Sequence, residues 1–256
     1  MKDPAAAIGI SLAVVIIIVA NILEGGHPTS LLLLPPMLLV IGTTIMVSIA
    51  GGTMEDAKAI LPTLKKAFTA RVEPAGDLVP TVVSLAETAR REGLLSLEDR
   101  LRDVEDPFLV KGVTMAIDGT DPEELRDILE AEVHAKKAED RQSAKFFSDC
   151  GAYSPTIGII GTVMGLVHVL ENLAEPQSLG PLIAAAFVAT LWGVMMANVV
   201  WLPIGNRVKR MGQLEAARME LAIEGISAIQ AGSNPRLVAE KLKALLPANK
   251  QDVEAA

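Results

Sequence analysis

Thr162 and Thr190 are the residues best placed to do chemistry. Each hydroxyl stands in an otherwise apolar stretch, Thr162 nine residues before Glu171 and Thr190 ten residues after Gly180. If those boundaries mark the outer ends of two helices, both hydroxyls lie roughly 15 Å deep, at one level. Hard cations prefer oxygen ligands, and hydroxyls with backbone carbonyls can supply them. A helical threonine also satisfies itself on the carbonyl four residues earlier, so depth alone is compatible with plain packing. An absence is equally informative: no carboxylate lies within these stretches, and Glu24 and Glu171 stand at their ends. If the chain passes H⁺ or a metal cation, the deep charged acceptor must come from another polypeptide. His168 lies within a turn of the outer boundary, where an interfacial histidine is favoured over a proton relay.

Pro155 and Pro203 lie at the other ends of the same two stretches. Proline removes a backbone donor and kinks or terminates a helix. The plain expectation is a helix start at Pro155 and a bend at Pro203; the functional one is a pair of hinges. Other chemistries find no support. There is no phosphate-binding glycine loop, no metal-spaced His/Cys set and no nucleophile elbow. The lone Cys150 has no internal disulfide partner and reads as structural. No cofactor, permanent metal site or enzymatic activity is expected.

The elements that must hold these residues are membrane helices. Half of the 256 residues are hydrophobic, and they are concentrated. Ala5–Leu23, Leu31–Ala50 and Leu179–Gly205 contain no Asp, Glu, Lys or Arg, and Cys150–Leu170 carries only His168. Each is at or above the roughly 20 residues that cross a bilayer. The net charge of -8 argues against a nucleic-acid partner. Of the 23 Lys and Arg, 14 lie between Lys58 and Lys145 and 8 between Arg207 and Lys250, leaving none for the short connections Glu24–Ser30 and Glu171–Ser178. The positive-inside rule then makes both termini and the middle segment cytoplasmic.

The expected fold class is an all-α integral membrane protein: four transmembrane helices in two hairpins, a large helical cytoplasmic insertion and a helical C-terminal tail. The expected divisions are 1–50 (helices 1 and 2), 51–149 (insertion), 150–205 (helices 3 and 4) and 206–256 (tail). In the insertion, Leu78, Val82, Leu85 and Ala89 repeat at helical spacing. The run Asp118 to Glu124 predicts a turn, an N-cap at Thr120 or Asp121, and a long helix beyond it. The tail predicts helices over Gln213–Ala231 and Pro235–Leu246. Helices 3 and 4 carry small-residue stripes: Gly158, Thr162 and Gly165 on one, Ala186, Thr190, Gly193 and Ala197 on the other. Small faces permit close approach, and simple bundle packing explains them as well as an ion path does.

Three segments together resemble the A subunit of the bacterial flagellar motor stator, the MotA/PomA family. They are Ala89–Glu98 with Asp106–Leu109 and Ala116–Gly119; Tyr153–Gly158 continuing through Thr162 and Gly165; and Leu179–Pro181 through Ala186–Thr190 to Leu202–Ile204. The resemblance runs from Ile8 to Pro247. It implies a torque-generating ion channel of the bacterial inner membrane, with five A subunits around a dimer of MotB/PomB-type B subunits whose aspartate carries the ion. It implies that the A ring turns and pushes on the rotor protein FliG. Arg90 and Glu98 match the family's charged pair for rotor contact; on one continuous helix, at i and i+8, they would share a face, and Gly93 between them puts that helix in question. Pro155 and Pro203 match its coupling prolines. Thr162 stands where sodium-type members have Thr and proton-type members Ala, which favours transient Na⁺ over H⁺. The related ExbB and TolQ energisers of outer-membrane processes are the alternative; they have three spans, and the Ala5–Ala50 hairpin counts against them.

Overall fold

The computed structural model describes residues 4–70 and 73–246, so the outermost parts of both termini, including Lys2 and Lys250, lie outside the described residues. Every regular element among the described residues is helical. We number the principal helices α1 (Ala5–Leu23), α2 (Leu34–Ala50), α3 (Met54–Thr69), α4 (Leu78–Glu92), α5 (Pro107–Ile117), α6 (Pro122–Glu171), α7 (Pro176–Gln230) and α8 (Pro235–Ala244).

Three of these, α1, α6 and α7, are long and apolar enough to cross a membrane. The fourth expected span, α2, is an apolar helix of 17 residues, at the lower limit of spanning length. Pro35 and Pro36 stand in its first turn, where missing N–H groups cost nothing. Both α2 and α7 are interrupted by a π-helical turn, Leu38–Gly42 in α2 and Met196–Trp201 in α7. Such turns widen a helix locally and often mark functional sites.

The chain forms two compact units. Of the described residues, one holds 4–70 and 140–210, the other 73–139 and 211–246. α6 and α7 are uninterrupted at the sequence-expected divisions 149/150 and 205/206. Two expectations about helix starts therefore change. Pro155 lies inside α6, and the first tail helix is the continuation of α7. A proline costs a helix about 3 kcal/mol, and buried packing on both sides of Pro155 offsets it: Cys150, Ser154 and Ile157 are all buried.

In the apolar unit, α1 has no buried residue and presents Ile8, Leu12, Val15, Ile16 and Val19 outward, as a lipid-facing helix does. α2, α3, α6 and α7 enclose a cluster of Ala67, Phe147, Cys150, Trp201, Ile204 and Val208. α3 begins with a capping box: the Asp56 N–H donates to Thr53 Oγ1 at 3.3 Å, and the Thr53 N–H to Asp56 Oδ2 at 2.8 Å.

The second unit is a helical domain around one apolar core. Leu78, Val82 and Leu85 of α4 are buried as their spacing predicts, and Ala89 packs at the edge. They meet Leu109 and Val113 of α5, Leu125, Leu129 and Val133 of α6, Ala222, Ile226 and Ile229 of α7, and Val238 and Leu242 of α8. Each fully buried aliphatic side chain contributes about 1.5–3 kcal/mol. Asp121 is the cap of α6, accepting from the Glu123 N–H at 2.9 Å. Asp106 caps α5 through the Leu109 N–H at 2.9 Å, and its other oxygen accepts from Arg218 Nε at 2.7 Å.

Candidate functional site

The two small-residue stripes face each other. A Cβ on Gly158 would lie 2.9 Å from the Ala189 carbonyl oxygen and 3.1 Å from Gly193 Cα; one on Gly193 would lie 2.7 Å from the Ser154 carbonyl oxygen. At Gly165 it would meet Ala186 Cβ at 2.6 Å, and at Gly161 Ala189 Cβ at 2.7 Å. No side chain larger than hydrogen fits these places, so α6 and α7 touch backbone to backbone along this seam.

Close approach puts the two threonines together. The hydroxyls of Thr162 and Thr190 are in direct hydrogen-bond contact. Thr162 Oγ1 is also 3.2 Å from the Gly158 carbonyl and 3.1 Å from the Ala186 carbonyl, and Thr190 Oγ1 is 3.4 Å from that of Gly158. Two hydroxyl protons serve these oxygens, each of which has two lone pairs. The cluster is therefore acceptor-rich, the chemistry a partly dehydrated cation needs. Both side chains are half-buried. Thr162 does bond the carbonyl four residues back, as a self-satisfied threonine would, but its further contacts cross to α7.

The prolines flank this pair on the same helices. Pro155 has no N–H for the Gly151 carbonyl, and Pro203 none for that of Val199. Pro203 lies two residues beyond the π-helical turn Met196–Trp201, so two irregularities of hydrogen bonding fall within one stretch of α7. Pro203 also lines a groove of about 430 Å³ with Gly9, Ala13, Asn198 and Arg207.

Arg90 and Glu98 do not share a helix. α4 ends at Glu92, Gly93 turns with φ of 86°, and Glu98 lies on a separate short helix, Leu97–Arg100. A positive φ of this kind suits glycine alone. Both charged side chains are exposed, and among the described residues neither has an ion-pair partner. The short helix packs on α4 through buried Leu97.

His168 is exposed, its Nε2 3.9 Å from Glu171. Cys150 is buried and donates from Sγ to Ser48 Oγ at 3.2 Å, a packing role. Among the described residues no group of three His, Cys, Asp or Glu side chains is gathered as a metal ion requires.

Several polar residues escaped the sequence reading. Asp140 is buried, with Lys66 at 3.8 Å. Trp192 Nε1 donates to the Leu31 carbonyl at 2.7 Å, fastening α7 to the entry of α2. Thr44 and Ser154 are fully buried, and neither hydroxyl has a protein partner. Their signal was present, since Thr44 and Ser48, like Cys150 and Ser154, are spaced i, i+4 in apolar helices.

Comparison with known proteins bears on this geometry. Residues 100–221 match the family described as the MotA/TolQ/ExbB proton channel family. Motility protein A of Bacillus subtilis is 35% identical over 96% of this chain and 92% of its own length. Chemotaxis protein PomA of Vibrio alginolyticus is 30% identical over 98% of each chain. In the solved flagellar MotAB stator complex from Bacillus subtilis, one chain superposes with a TM-score of 0.92 at 34% identity, covering 98% of this chain and all of that one.

Proposed function

The chain belongs to the MotA/TolQ/ExbB proton channel family, as a membrane stator subunit and not an enzyme, and we propose that the ion it passes is sodium. One observation carries this reading: Thr162 and Thr190 meet across α6 and α7 with the Gly158 and Ala186 carbonyls beside them. A threonine pair offers a dehydrating cation one oxygen more than Ala with Thr would. The family's description as proton channels favours the second reading, H⁺.

In this reading the chain lies in the bacterial inner membrane with both termini cytoplasmic, the orientation that its Lys and Arg placement favours. The partner is a MotB/PomB-type B subunit, in keeping with the two-component stator complex that the chain resembles. That subunit brings the carboxylate the apolar helices lack, and the threonine oxygens replace part of the ion's hydration as it reaches that carboxylate. Five copies surround a B-subunit dimer. Passage of the ion breaks and remakes contacts at the α6–α7 seam. Pro155, and Pro203 with its adjoining π turn, let the two helices flex below the seam. The exposed pair Arg90 and Glu98 then meets FliG as the ring turns. Coverage of nearly the whole length of the motility proteins favours this reading over an ExbB/TolQ-type energiser.

The test is swimming of a stator-deletion strain complemented by this chain and its B subunit, with Na⁺ replaced by K⁺. Speed falls with Na⁺, and Thr162→Ala deepens the dependence while leaving the protein's amount in the membrane unchanged. Undiminished swimming in K⁺ rejects sodium and selects protons.

A further inference from the structure

Thr44 and Ser154 are completely buried, yet neither hydroxyl has a hydrogen-bond partner in the protein. An unsatisfied buried hydroxyl carries a penalty of about 1–3 kcal/mol, so two at one place need a reason. Their placement supplies it. The Cys150–Ser48 hydrogen bond joins α6 to α2. One turn along α2 from Ser48 is Thr44, and one turn along α6 from Cys150 is Ser154. The helices also meet further on, where a Cβ on Gly161 would lie 3.0 Å from Leu39 Cδ2. On α2 the residue number falls from Ser48 to Leu39, and on α6 it rises from Cys150 to Gly161, so the two run antiparallel and Thr44 and Ser154 stand level. Beside them, Pro155 leaves the buried Gly151 carbonyl without its helical donor. On the other side, the Ser154 carbonyl abuts Gly193 of α7.

We propose that Thr44 and Ser154 bind a buried water at the junction of α2, α6 and α7, and that this water continues the path from the threonine pair toward the Cys150 end of α6. A buried water takes two to four polar partners; the two hydroxyls and the Gly151 carbonyl provide three. Ser154, Gly158 and Thr162 follow one another at i, i+4 and i+8, so the water sits on the same strip of α6 as the oxygens of the ion site. Toward that end, the cluster that holds Cys150 also holds Trp201, whose buried Nε1–H has no protein partner either. Continuity with an ion path rests on the functional reading above; the presence of the water does not.

Water access is read in the complex with the B subunit, in membranes, on a Cys150→Ser background that leaves this chain without a thiol, paired with a B subunit made free of cysteine. Ser154→Cys and Thr44→Cys should react with Ag⁺ at least tenfold faster than Ile157→Cys, a buried apolar control on α6. Equal rates at all three positions mean a dry junction and overturn the proposal. Radiolytic hydroxyl labelling of the unaltered complex gives a second reading that needs no variant: Cys150, one turn from the junction, should label despite burial, and absence of label there counts against the water. Ser154→Ala with Thr44→Val should lower ion current through the unplugged channel about tenfold with the membrane level of the protein unchanged. A hydrated junction with undiminished current retains the water and rejects the path. Failure of the unaltered complex to drive motility would reject the stator reading and leave the labelling result standing.

Discussion

Gly193→Ala tests whether the backbone contact between α6 and α7 is what holds the threonine pair together. The new Cβ would stand 2.7 Å from the Ser154 carbonyl oxygen and 3.0 Å from Gly158 Cα. Both are backbone atoms, so no side chain can swing aside. Ordinary contact begins at about 3.4 Å, and reaching it opens the seam by about 0.7 Å, a gap that forfeits a quarter to a half of each dispersion contact it affects. Overpacking of this kind costs about 1–3 kcal/mol. For a chain of this size a loss of about 2 kcal/mol lowers the melting temperature by about 4–8 °C. The two tryptophans, Trp192 and Trp201, both lie on α7, so their emission follows the unfolding of the purified complex directly. Thr190 is one turn from Gly193 and Thr162 one turn from Gly158, so the opening also separates the hydroxyls, and swimming speed should fall further than the melting temperature alone explains. Gly180→Ala on the same helix meets nothing within 4 Å and serves as the control. Gly158→Ala opens the same seam, so the double variant should cost less than the sum of the two. Wild-type stability and speed in Gly193→Ala would refute the argument, because they would mean that the seam has slack.

Other outcomes follow from the second unit. Asp106→Ala removes the cap of α5 and the partner of Arg218 Nε, and should destabilise the unit by about 2–3 kcal/mol in thermal unfolding; Asp106→Asn keeps the cap and should lose less. Gly93→Ala forces a side chain into a conformation with φ of 86° and should cost about 1–3 kcal/mol; under the proposed rotor contact of Arg90 and Glu98, it should also reduce spreading in a swarm assay. Lys241, and with it Arg126, holds the Glu224 carboxyl below its ordinary value of 4.5 against a partial desolvation that acts the other way. A depressed carboxyl stabilises the fold fully above its ordinary range, and the contribution is lost as pH falls through the lowered value. Glu224→Gln should therefore flatten the acid limb of a stability–pH profile below about pH 4.5 while leaving its slope near pH 7 unchanged.

The division between what the sequence made legible and what it hid follows the kind of interaction involved. Periodic features were legible. The stripes through Gly158 and Thr162 and through Thr190 and Gly193 anticipated a close seam, and Leu78, Val82 and Leu85 anticipated a buried face. These depend on spacing along one helix, which the chain states outright. Caps were legible in the same way, as at Asp121. Features that depend on a partner from elsewhere were not. Pro155 looked like a helix start because local chemistry removes a donor there. The helix passes through because Cys150, Ser154 and Ile157 are buried by neighbours distant in sequence. Gly93 raised the opposite question, and there local chemistry decided it: its φ of 86° ends α4, and the chain beyond it buries Leu97 from a separate short helix. The π turns at Leu38–Gly42 and Met196–Trp201 left no compositional trace, since each is one extra residue accommodated by packing. Thr44 and Ser154 show the same limit from the other side. Spacing put each hydroxyl on a helix face with a second polar residue, but only the antiparallel pairing of α2 with α6 makes them level. That is why the threonine pair could be anticipated while the junction below it could not: Thr162 and Thr190 were matched by depth from the same boundary, a quantity that counts residues, whereas Thr44 and Ser154 are matched by a contact between helices separated by more than a hundred residues of chain.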